Sequence, residues 1–393
     1  MTNGGSTSST PAAPTLPANT TVGASGFRFS LATDADNAEL LAFSRTAEMP
    51  GALRIAFDRG PDYLESLCVE GRHHEVLLCR EAATGVLVAT GHRSLKPAFV
   101  DGAPLSLGYL GGLHVAPSVR SAQLLTDGYA SLGALHELRP AALYLTTIME
   151  ANAPAQAVLR SRRLGLPAYH DLGRFCCMAI DGRSGFNAPA TNGLSVRRAT
   201  VADGAALVAF LHREGRTKQF FPEYRVEDFG RPDGLLAHLD WSDVLLAFRR
   251  DEIVGTLAAW DQRKLRRWRI AGYVPWLRAL RFPLNLLTRL RGMPSLPPPN
   301  APLDYFILSL VCVRDNDRTV FRVLLDAAVR DRSHRVSFFI AGLHERDPLL
   351  PELANHPHVP LYSLLYAVAW EDGERALSAL DRLRIPYVET GSL

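Results

Sequence analysis

The chain has 393 residues, of which 47% are hydrophobic and 21% charged, and its formal net charge is +3. This length predicts two domains rather than a single core, and the composition is typical of a globular protein. The small positive charge does not predict a nucleic-acid-binding surface, because such a surface needs a concentrated basic patch.

The first 26 residues are rich in Ser, Thr, Ala and Pro, and they contain neither a basic stretch nor an apolar block. This segment predicts a disordered tail and not a signal peptide. No later segment has the apolar length of a membrane span.

The five cysteines lack C-x-x-C spacing and most lie in apolar runs, which predicts reduced core residues in a cytoplasmic protein. His344-Glu345 lacks a second histidine four residues on, so no metal site is predicted.

Two segments of the chain, 27–43 and 194–210, align without a gap, as FRFSLATDADNAELLAF and LSVRRATVADGAALVAF. Each alternates like a strand and then takes helical spacing after a Thr that can cap a helix. The similarity predicts a duplication, with an N-terminal domain over 27–180, a linker over 181–193 and a C-terminal domain over 194–393.

Each copy then continues with a strand hairpin, a longer strand, a helix, a strand, a helix and a last strand. From the longer strand onward, the predicted ranges are 105–115, 120–138, 143–149, 152–163 and 172–180 in the first copy, and 305–313, 318–332, 336–341, 347–354 and 362–370 in the second. The predicted order is β, α, α, β, β, β, α, β, α, β. Strands joined first as a meander and then through helices predict an α/β fold with a mixed sheet and helices on both faces.

Two turns in the first copy carry the motifs that point to chemistry. The fourth strand ends in Leu113-His114-Val115-Ala116-Pro117, and the helix after it begins near Arg120. The free N–H groups and the positive end of such a helix favour an anion. After the fifth strand, Asn152-Ala153-Pro154-Ala155 opens the next helix.

The element order and these motifs resemble the GNAT acyltransferases, in which such a turn binds the pyrophosphate of acetyl-CoA or another acyl-CoA. The resemblance implies that the second motif lies beside the pantetheine arm, and that a backbone N–H near Leu113 to Val115 meets the oxyanion. The family's glycines in the first turn are replaced here by Ser121 and Ala122. The implied cofactor-binding residues are Leu113, Val115, Arg120, Ser121, Ala122, Gln123, Asn152 and Ala155.

Transfer of an acyl group to an amine requires a base, and the candidates are Glu150 and His114. Each also has a structural interpretation: Glu150 complements a helix N-terminus, and His114 is an ordinary strand histidine. Where the family places a tyrosine as general acid, this chain has Leu159. Tyr169 is the candidate substitute, and its alternative is a packed aromatic residue.

The second copy has Asp315 and Asp317 at the turn that corresponds to the pyrophosphate site. Both would repel a phosphate group, which predicts a degenerate GNAT-like domain. Its segment 262–300 contains nine Lys or Arg residues and no Asp or Glu. Three interpretations stay open for this segment: a helical hairpin packed on the other domain with its arginines in solvent, an amphipathic segment that binds anionic lipid at the periphery of a membrane, and a surface for an acidic partner.

The sequence therefore predicts an acyltransferase that moves an acetyl or longer acyl group from acyl-CoA to the amine of a small-molecule or peptide acceptor. Two alternatives remain. One is a catalytically silent scaffold with two degenerate domains, and the other is a transferase that uses aminoacyl-tRNA. Nucleic acid is the partner with least support, since no recognised binding module accompanies the basic segment.

Overall fold

The structure is a computed structural model that describes residues 26–49, 53–119, 121–161, 165–182, 193–290, 296–332, 336 and 338–393. Most of the predicted tail and linker lie outside these ranges, and so does Arg120 of the predicted pyrophosphate turn.

The described residues form seventeen strands and eight α-helices. The strands are β1 (Phe27–Leu31), β2 (Glu48–Met49), β3 (Leu53–Arg59), β4 (His73–Glu81), β5 (Leu87–Val100), β6 (Ala103–Val115), β7 (Leu143–Met149), β8 (Ala168–Asp181), β9 (Leu194–Arg198), β10 (Phe221–Pro222), β11 (Val244–Arg249), β12 (Glu252–Trp260), β13 (Arg266–Tyr273), β14 (Tyr305–Val313), β15 (Phe338–His344), β16 (His358–Pro360) and β17 (Ser363–Ala369). The helices are α1 (Asn37–Ser44), α2 (Ala122–Leu138), α3 (Ala153–Leu159), α4 (Gly204–Gly215), α5 (Pro275–Leu290), α6 (Arg318–Arg332), α7 (Leu350–Ala354) and α8 (Glu374–Ala379).

Fourteen of these strands form one continuous sheet. Its order is β1-β4-β5-β6-β7-β17-β8-β15-β14-β12-β11-β9, with β10 beside β5 and β16 beside β8. The pairs β6–β7 and β14–β15 are parallel, and the other pairs are antiparallel. The predicted α/β class with a mixed sheet is therefore confirmed.

The last strand of each copy lies in the other copy's half of the sheet. Strand β8 pairs with β15, strand β17 pairs with β7, and the two exchanged strands pair with each other at the centre. This exchange interlocks the halves through backbone hydrogen bonds. The division of the chain into separate domains at 181–193 stays a prediction.

The aligned beginnings of the two copies have the same capping geometry. The backbone N–H and hydroxyl of Thr33 donate to the Asp36 carboxylate at 2.9 and 3.0 Å. Those of Thr200 donate to Asp203, both at 2.8 Å. Each aspartate accepts from the backbone N–H of the capping threonine, and both turns are capping boxes, so the predicted caps are confirmed.

Both copies lack the predicted second helix. In the second copy, β10 and 3₁₀ turns at Val226–Asp228 and Trp241–Asp243 lie between α4 and β11. The first copy departs further between α1 and β4. Where a second helix was expected, a short 3₁₀ turn stands at Glu65–Leu67, and β2 and β3 precede it. Strand β3 pairs with β2 and with β13, which belongs to the basic segment of the second copy. The prediction of a second helix is wrong here because this stretch finds its partner in a distant strand.

The beginning of the basic segment is likewise a strand and not half of a helical hairpin. Two of its arginines pair with acidic residues of the first copy: Arg266 with Glu70 at 3.2 Å and Arg269 with Asp58 at 3.1 Å. These arginines join the two halves instead of facing solvent, so the solvated-hairpin interpretation is wrong for this part of the segment.

All five cysteines are free thiols, and Cys79, Cys176 and Cys312 are buried, as predicted for core residues. Within the described ranges, no helix combines the length and the apolar character needed to cross a membrane.

Candidate active site

The two parallel strands at the centre of the first half separate before they end. Strands β6 and β7 pair only from Leu107–Leu143 to Tyr109–Leu145, although β6 continues to Val115 and β7 to Met149. Beyond Tyr109 and Leu145, the backbones of β6 and β7 no longer pair with each other. A gap opens there in an otherwise continuous sheet.

A cavity of about 300 Å³ fills this gap. Its inner wall is apolar and belongs to the core cluster between the sheet and α2, with Phe29, Leu77, Cys79, Ala89, Leu110, Leu124, Leu132, Ile148 and Leu159. Polar side chains lie in its remaining wall, namely Thr90, His92, Tyr109, Thr146, Thr147 and Asn152. A mostly apolar cavity with a few polar groups is the usual form of a small-molecule site.

Strand β6 carries a bulge at the mouth of the gap. Between the pairs Thr90–His114 and His92–Gly111, β6 has one residue more than β5. Gly112 has a φ of +61°, and a Cβ atom there would lie 2.4 Å from Nδ1 of His92. The space beside His92 excludes a side chain here, and the left-handed backbone conformation favours glycine.

The second half contains the same gap between β14 and β15, which pair only from Tyr305–Phe338 to Ile307–Ile340. In this register Leu310 stands where Gly112 stands in β6, and its φ is also positive, at +51°. The N–H group of Leu310 donates to a carboxylate oxygen of Glu389 at 3.0 Å. The amide at this point of the bulge therefore points toward an anionic oxygen.

The C-terminal segment closes this second gap. Glu389 accepts the hydrogen bond from Leu310 in β14, and the next residue, Thr390, donates a hydrogen bond to the carbonyl of Gly342 in β15 at 3.2 Å. Glu389, Thr390 and Gly391 are all buried. In the second half, the C-terminal segment therefore occupies the space that is a cavity in the first half.

A buried histidine and glutamate lie beside the bulge. His92 is 1% exposed and its Nε2 lies 2.7 Å from Oε2 of Glu70. Glu70 also binds Arg59 at 2.8 Å and Arg266 at 3.2 Å. Burial alone would raise the pKa of Glu70, but the charges of Arg59 and Arg266 and the hydrogen bond with His92 outweigh it and hold the pKa well below its usual range.

This pairing fixes the tautomer of a neutral His92. Because Glu70 is ionised it can only accept, so Nε2 carries the proton and Nδ1 keeps its lone pair. Nδ1 is buried, faces Gly112 and has no hydrogen-bond partner in the described part of the chain. An imidazole nitrogen in this state can accept a proton from a molecule in the cavity.

Tyr109, Tyr129 and Tyr169 also line the cavity. The hydroxyl of Tyr109 lies 3.0 Å from Thr147, across the gap between β6 and β7, and burial raises its pKa to about 12. The hydroxyl of Tyr169 lies 2.5 Å from that of Tyr129. Burial, followed by the contact with Tyr129, raises the pKa of Tyr169 well above its usual value. Both groups therefore stay protonated at neutral pH.

Part of the predicted cofactor-binding set lines the cavity. Leu113, Asn152 and Ala155 are among the lining residues, and Asn152 caps α3 by accepting from the Ala155 N–H at 3.3 Å. Four other predicted residues are not among them: Val115, Ser121, Ala122 and Gln123. They lie at the end of β6 and the start of α2, at one end of the gap.

Of the three predicted catalytic residues, only Tyr169 lines the cavity. Glu150 forms an exposed ion pair with Arg174 at 2.6 Å. His114 lies with its Nε2 2.8 Å from the Thr46 hydroxyl, and burial lowers its pKa. The described structure therefore places neither Glu150 nor His114 in the wall, because both side chains have partners elsewhere.

Sequence reasoning missed His92 and Glu70. A signal for the first was present, since His92-Arg93-Ser94 interrupts a strand that is otherwise mainly apolar and central to its hairpin. Polar side chains in such a strand need buried partners and so mark a network or a site. No sequence pattern links Glu70 to this strand.

No protein-family model matches the chain, and no curated protein matches it in sequence. Solved structures do share its fold. The N-myristoyltransferase of Saccharomyces cerevisiae with bound myristoyl-CoA has a TM-score of 0.55 at 12% identity, over 91% of this chain and 85% of that one.

A second similar structure is a glucosamine N-acetyltransferase region in a fungal multi-domain β-N-acetylglucosaminidase. Its TM-score is 0.55 at 14% identity, over 87% of this chain and 38% of that one. The chain therefore has the fold of the GNAT-type acyltransferases.

Proposed function

We propose that this protein is an N-acyltransferase whose first half moves an acyl group from acyl-CoA to the amine of a small-molecule or peptide acceptor. The observation that carries the proposal is the cavity between β6 and β7, which begins at the bulge of Gly112 and ends among apolar side chains against α2. Direct transfer requires a backbone donor beside the thioester and a place for the acyl chain away from water. The gap offers both.

The apolar inner wall favours a long acyl chain over an acetyl group. Each buried methylene contributes about 0.8 kcal/mol, so a chain that reaches Leu77 and Leu132 binds far better than one that stops at the bulge. The myristoyl-CoA bound to the similar yeast transferase supports this donor class. Acetyl-CoA would leave most of the cavity unfilled.

The rest of the CoA would leave the cavity toward the start of α2. Leu113, Asn152 and Ala155 line that route and would contact the pantetheine arm. The pyrophosphate would lie at the first turn of α2, at Ser121, Ala122 and Gln123 with Arg120 before them, where the positive end of a 17-residue helix favours an anion.

In the proposed reaction, the amine nitrogen attacks the thioester carbonyl and the carbon–sulfur bond breaks. The N–H group of Gly112 stabilises the oxyanion; the bond from Leu310 to Glu389 in the second half supports this role, since the equivalent amide there binds a carboxylate oxygen. The attacking nitrogen loses its proton to Nδ1 of His92. Tyr169 supplies a proton to the departing thiolate, and the products are an amide and free CoA.

The second half would be silent, because Glu389 and Thr390 occupy its gap. A scaffold in which both halves are silent would have a closed gap in each, and the cavity in the first half argues against that alternative. The use of aminoacyl-tRNA has less support, since Arg266 and Arg269 of the basic segment are held in internal ion pairs.

The proposal can be tested by narrowing the inner cavity. Gly128 of α2 lines it, and a Cβ atom there would lie 3.5 Å from the ring of Phe29. We expect the wild-type chain to bind dodecanoyl-CoA at least about a hundredfold more tightly than acetyl-CoA. Gly128→Leu should remove most of this difference and leave acetyl-CoA binding unchanged, as measured by isothermal titration calorimetry and by release of free CoA with a panel of amines.

Ala130→Leu is the matched control, because Ala130 lies on the exposed side of the same helix and does not line the cavity. This variant should keep the wild-type preference. Equal affinity of the wild type for acetyl-CoA and dodecanoyl-CoA would contradict the assignment of the inner wall to the acyl chain. If no acyl-CoA binds, the proposed acyltransferase activity is contradicted and the catalytically silent scaffold is favoured.

A further inference from the structure

Helix α5 presents its apolar face to solvent. Trp276, Leu280, Phe282 and Leu286 are 60%, 48%, 80% and 57% exposed. At about 100° per residue, these four positions share one arc of about 160°, and no charged residue falls within it. The other exposed large apolar side chains of the described chain are scattered among several elements, whereas these form a contiguous patch of the kind that marks a binding surface.

The polar side of the same helix contacts the chain that follows it. The Asn285 side chain donates to the carbonyl of Leu296 at 3.0 Å and accepts from its N–H at 2.6 Å. Arg281 donates to the carbonyl of Pro297 at 3.4 Å. Because these polar contacts fix the rotation of α5, the apolar face cannot turn inward without breaking them.

The segment that carries the patch is basic. The whole segment 262–300 lacks Asp and Glu, and the sequence adds Arg289 and Arg291 after the exposed face. Arg278 of α5 is exposed, as are Lys264 and Arg267 at the foot of the segment. These cations are separate from Arg266 and Arg269, whose charges Glu70 and Asp58 balance.

We propose that α5 is a membrane-surface helix that binds anionic phospholipid. An apolar face with Trp276 and Phe282 at its surface can enter the boundary between headgroups and acyl chains, while the arginines meet lipid phosphates. A single convex helix offers no groove for a folded partner, and the exposed Arg278 and the basic character of the segment complement anionic headgroups. This inference does not depend on the proposed catalytic activity.

Vesicle flotation with the full chain tests the proposal. The wild-type chain should float with vesicles of phosphatidylcholine and phosphatidylserine, and more weakly with phosphatidylcholine alone. The double variant Phe282→Ser, Leu286→Ser should reduce the partition coefficient by about tenfold or more. Arg278→Gln should weaken binding to the mixed vesicles and leave binding to phosphatidylcholine alone unchanged. In wild type but not in Trp276→Leu, brominated lipid should quench part of the tryptophan fluorescence.

The matched control is Val201→Ser, Leu383→Ser, which also removes two highly exposed apolar side chains but lies elsewhere on the surface. This control should float like the wild type. Equal flotation of the α5 variant and the control would overturn the proposal. So would a wild-type dimer in light scattering that Phe282→Ser, Leu286→Ser converts to monomer, because a second copy of the chain would then cover the patch.

Discussion

Replacing Glu70 with glutamine is expected to lower the free energy of unfolding by about 3–5 kcal/mol at neutral pH. Glu70 is 1% exposed and is the shared partner of Arg59, Arg266 and His92. The substitution keeps the shape of the side chain but leaves two buried guanidinium groups without their counter-charge. Since Arg266 comes from the second copy, the variant should also weaken the contact between the halves. Urea unfolding followed by circular dichroism measures the loss.

The same variant has a predictable dependence on pH. The folded-state pKa of Glu70 is depressed below its ordinary value of 4.5, so its stabilising contribution is complete above that value. The contribution is lost as the pH falls from 4.5 toward the depressed pKa, because the unfolded chain takes up the proton first. The stability difference between wild type and Glu70→Gln should therefore be constant at neutral pH and shrink in acid.

Asp233→Asn is the control for this experiment. The Arg231–Asp233 pair has a similar separation, 2.8 Å, but its side chains are 55% and 59% exposed. Removing one partner of an exposed pair costs less than about 1 kcal/mol. If both variants lower the free energy of unfolding by the same amount, the buried cluster at Glu70 does not hold the halves together as described.

The second large effect is expected on the rate of acyl transfer when His92 is replaced. Substitution of His92 by glutamine should reduce kcat by about 10²- to 10⁴-fold, since it removes the proton acceptor beside Gly112. The affinity for acyl-CoA should be nearly unchanged, because His92 faces the attacking amine and not the acyl chain. Steady-state kinetics and calorimetry on the same preparation separate these two quantities.

A second histidine of the same hairpin separates a base from a packing residue. His114→Gln is the matched control, as the only other histidine of the β5–β6 hairpin, and it lies outside the cavity wall. A wild-type rate in His92→Gln, or an equal loss in both variants, would contradict the assignment of the base.

Much of the fold could be predicted because it depends on local patterns. The capping pairs at Thr33 and Thr200, the alternation of the strands and the order of the later elements all follow from residues close in sequence. The strand–Pro–helix turn after Val115 was recognisable for the same reason. These features carried the family resemblance and, with it, the correct fold class.

The exchange of β8 and β17 could not be predicted in this way. Strand β17 and the second half of β8 are mainly apolar, and such a pattern specifies a buried strand but not its neighbour in the sheet. The pairing of β3 with β13 was missed for the same reason, since more than 200 residues separate Arg59 from Arg266 in the chain. Long-range pairing is a property of the whole sheet.

The site residues also differ in whether a local sequence motif or long-range folding brings them together. Asn152 and Leu113 were found because each belongs to a short motif, whereas Glu70 and His92 meet only through the folding of a loop onto a strand. Glu150 is a candidate base by its position at the end of β7, and the structure gives that carboxylate a partner, Arg174, which the sequence does not indicate. The residues with the strongest electrostatic coupling were thus the least visible.

The central claim is that the gap in the first half, and not the one in the second, receives an acyl-CoA. A crystal structure of the chain with a non-hydrolysable thioether analogue of a long-chain acyl-CoA tests it most directly. We expect the acyl chain along Leu77, Gly128 and Leu132, with the oxygen of the thioester analogue at the N–H group of Gly112. Density for the analogue between β14 and β15, or an unoccupied first gap at saturating ligand, would contradict the account.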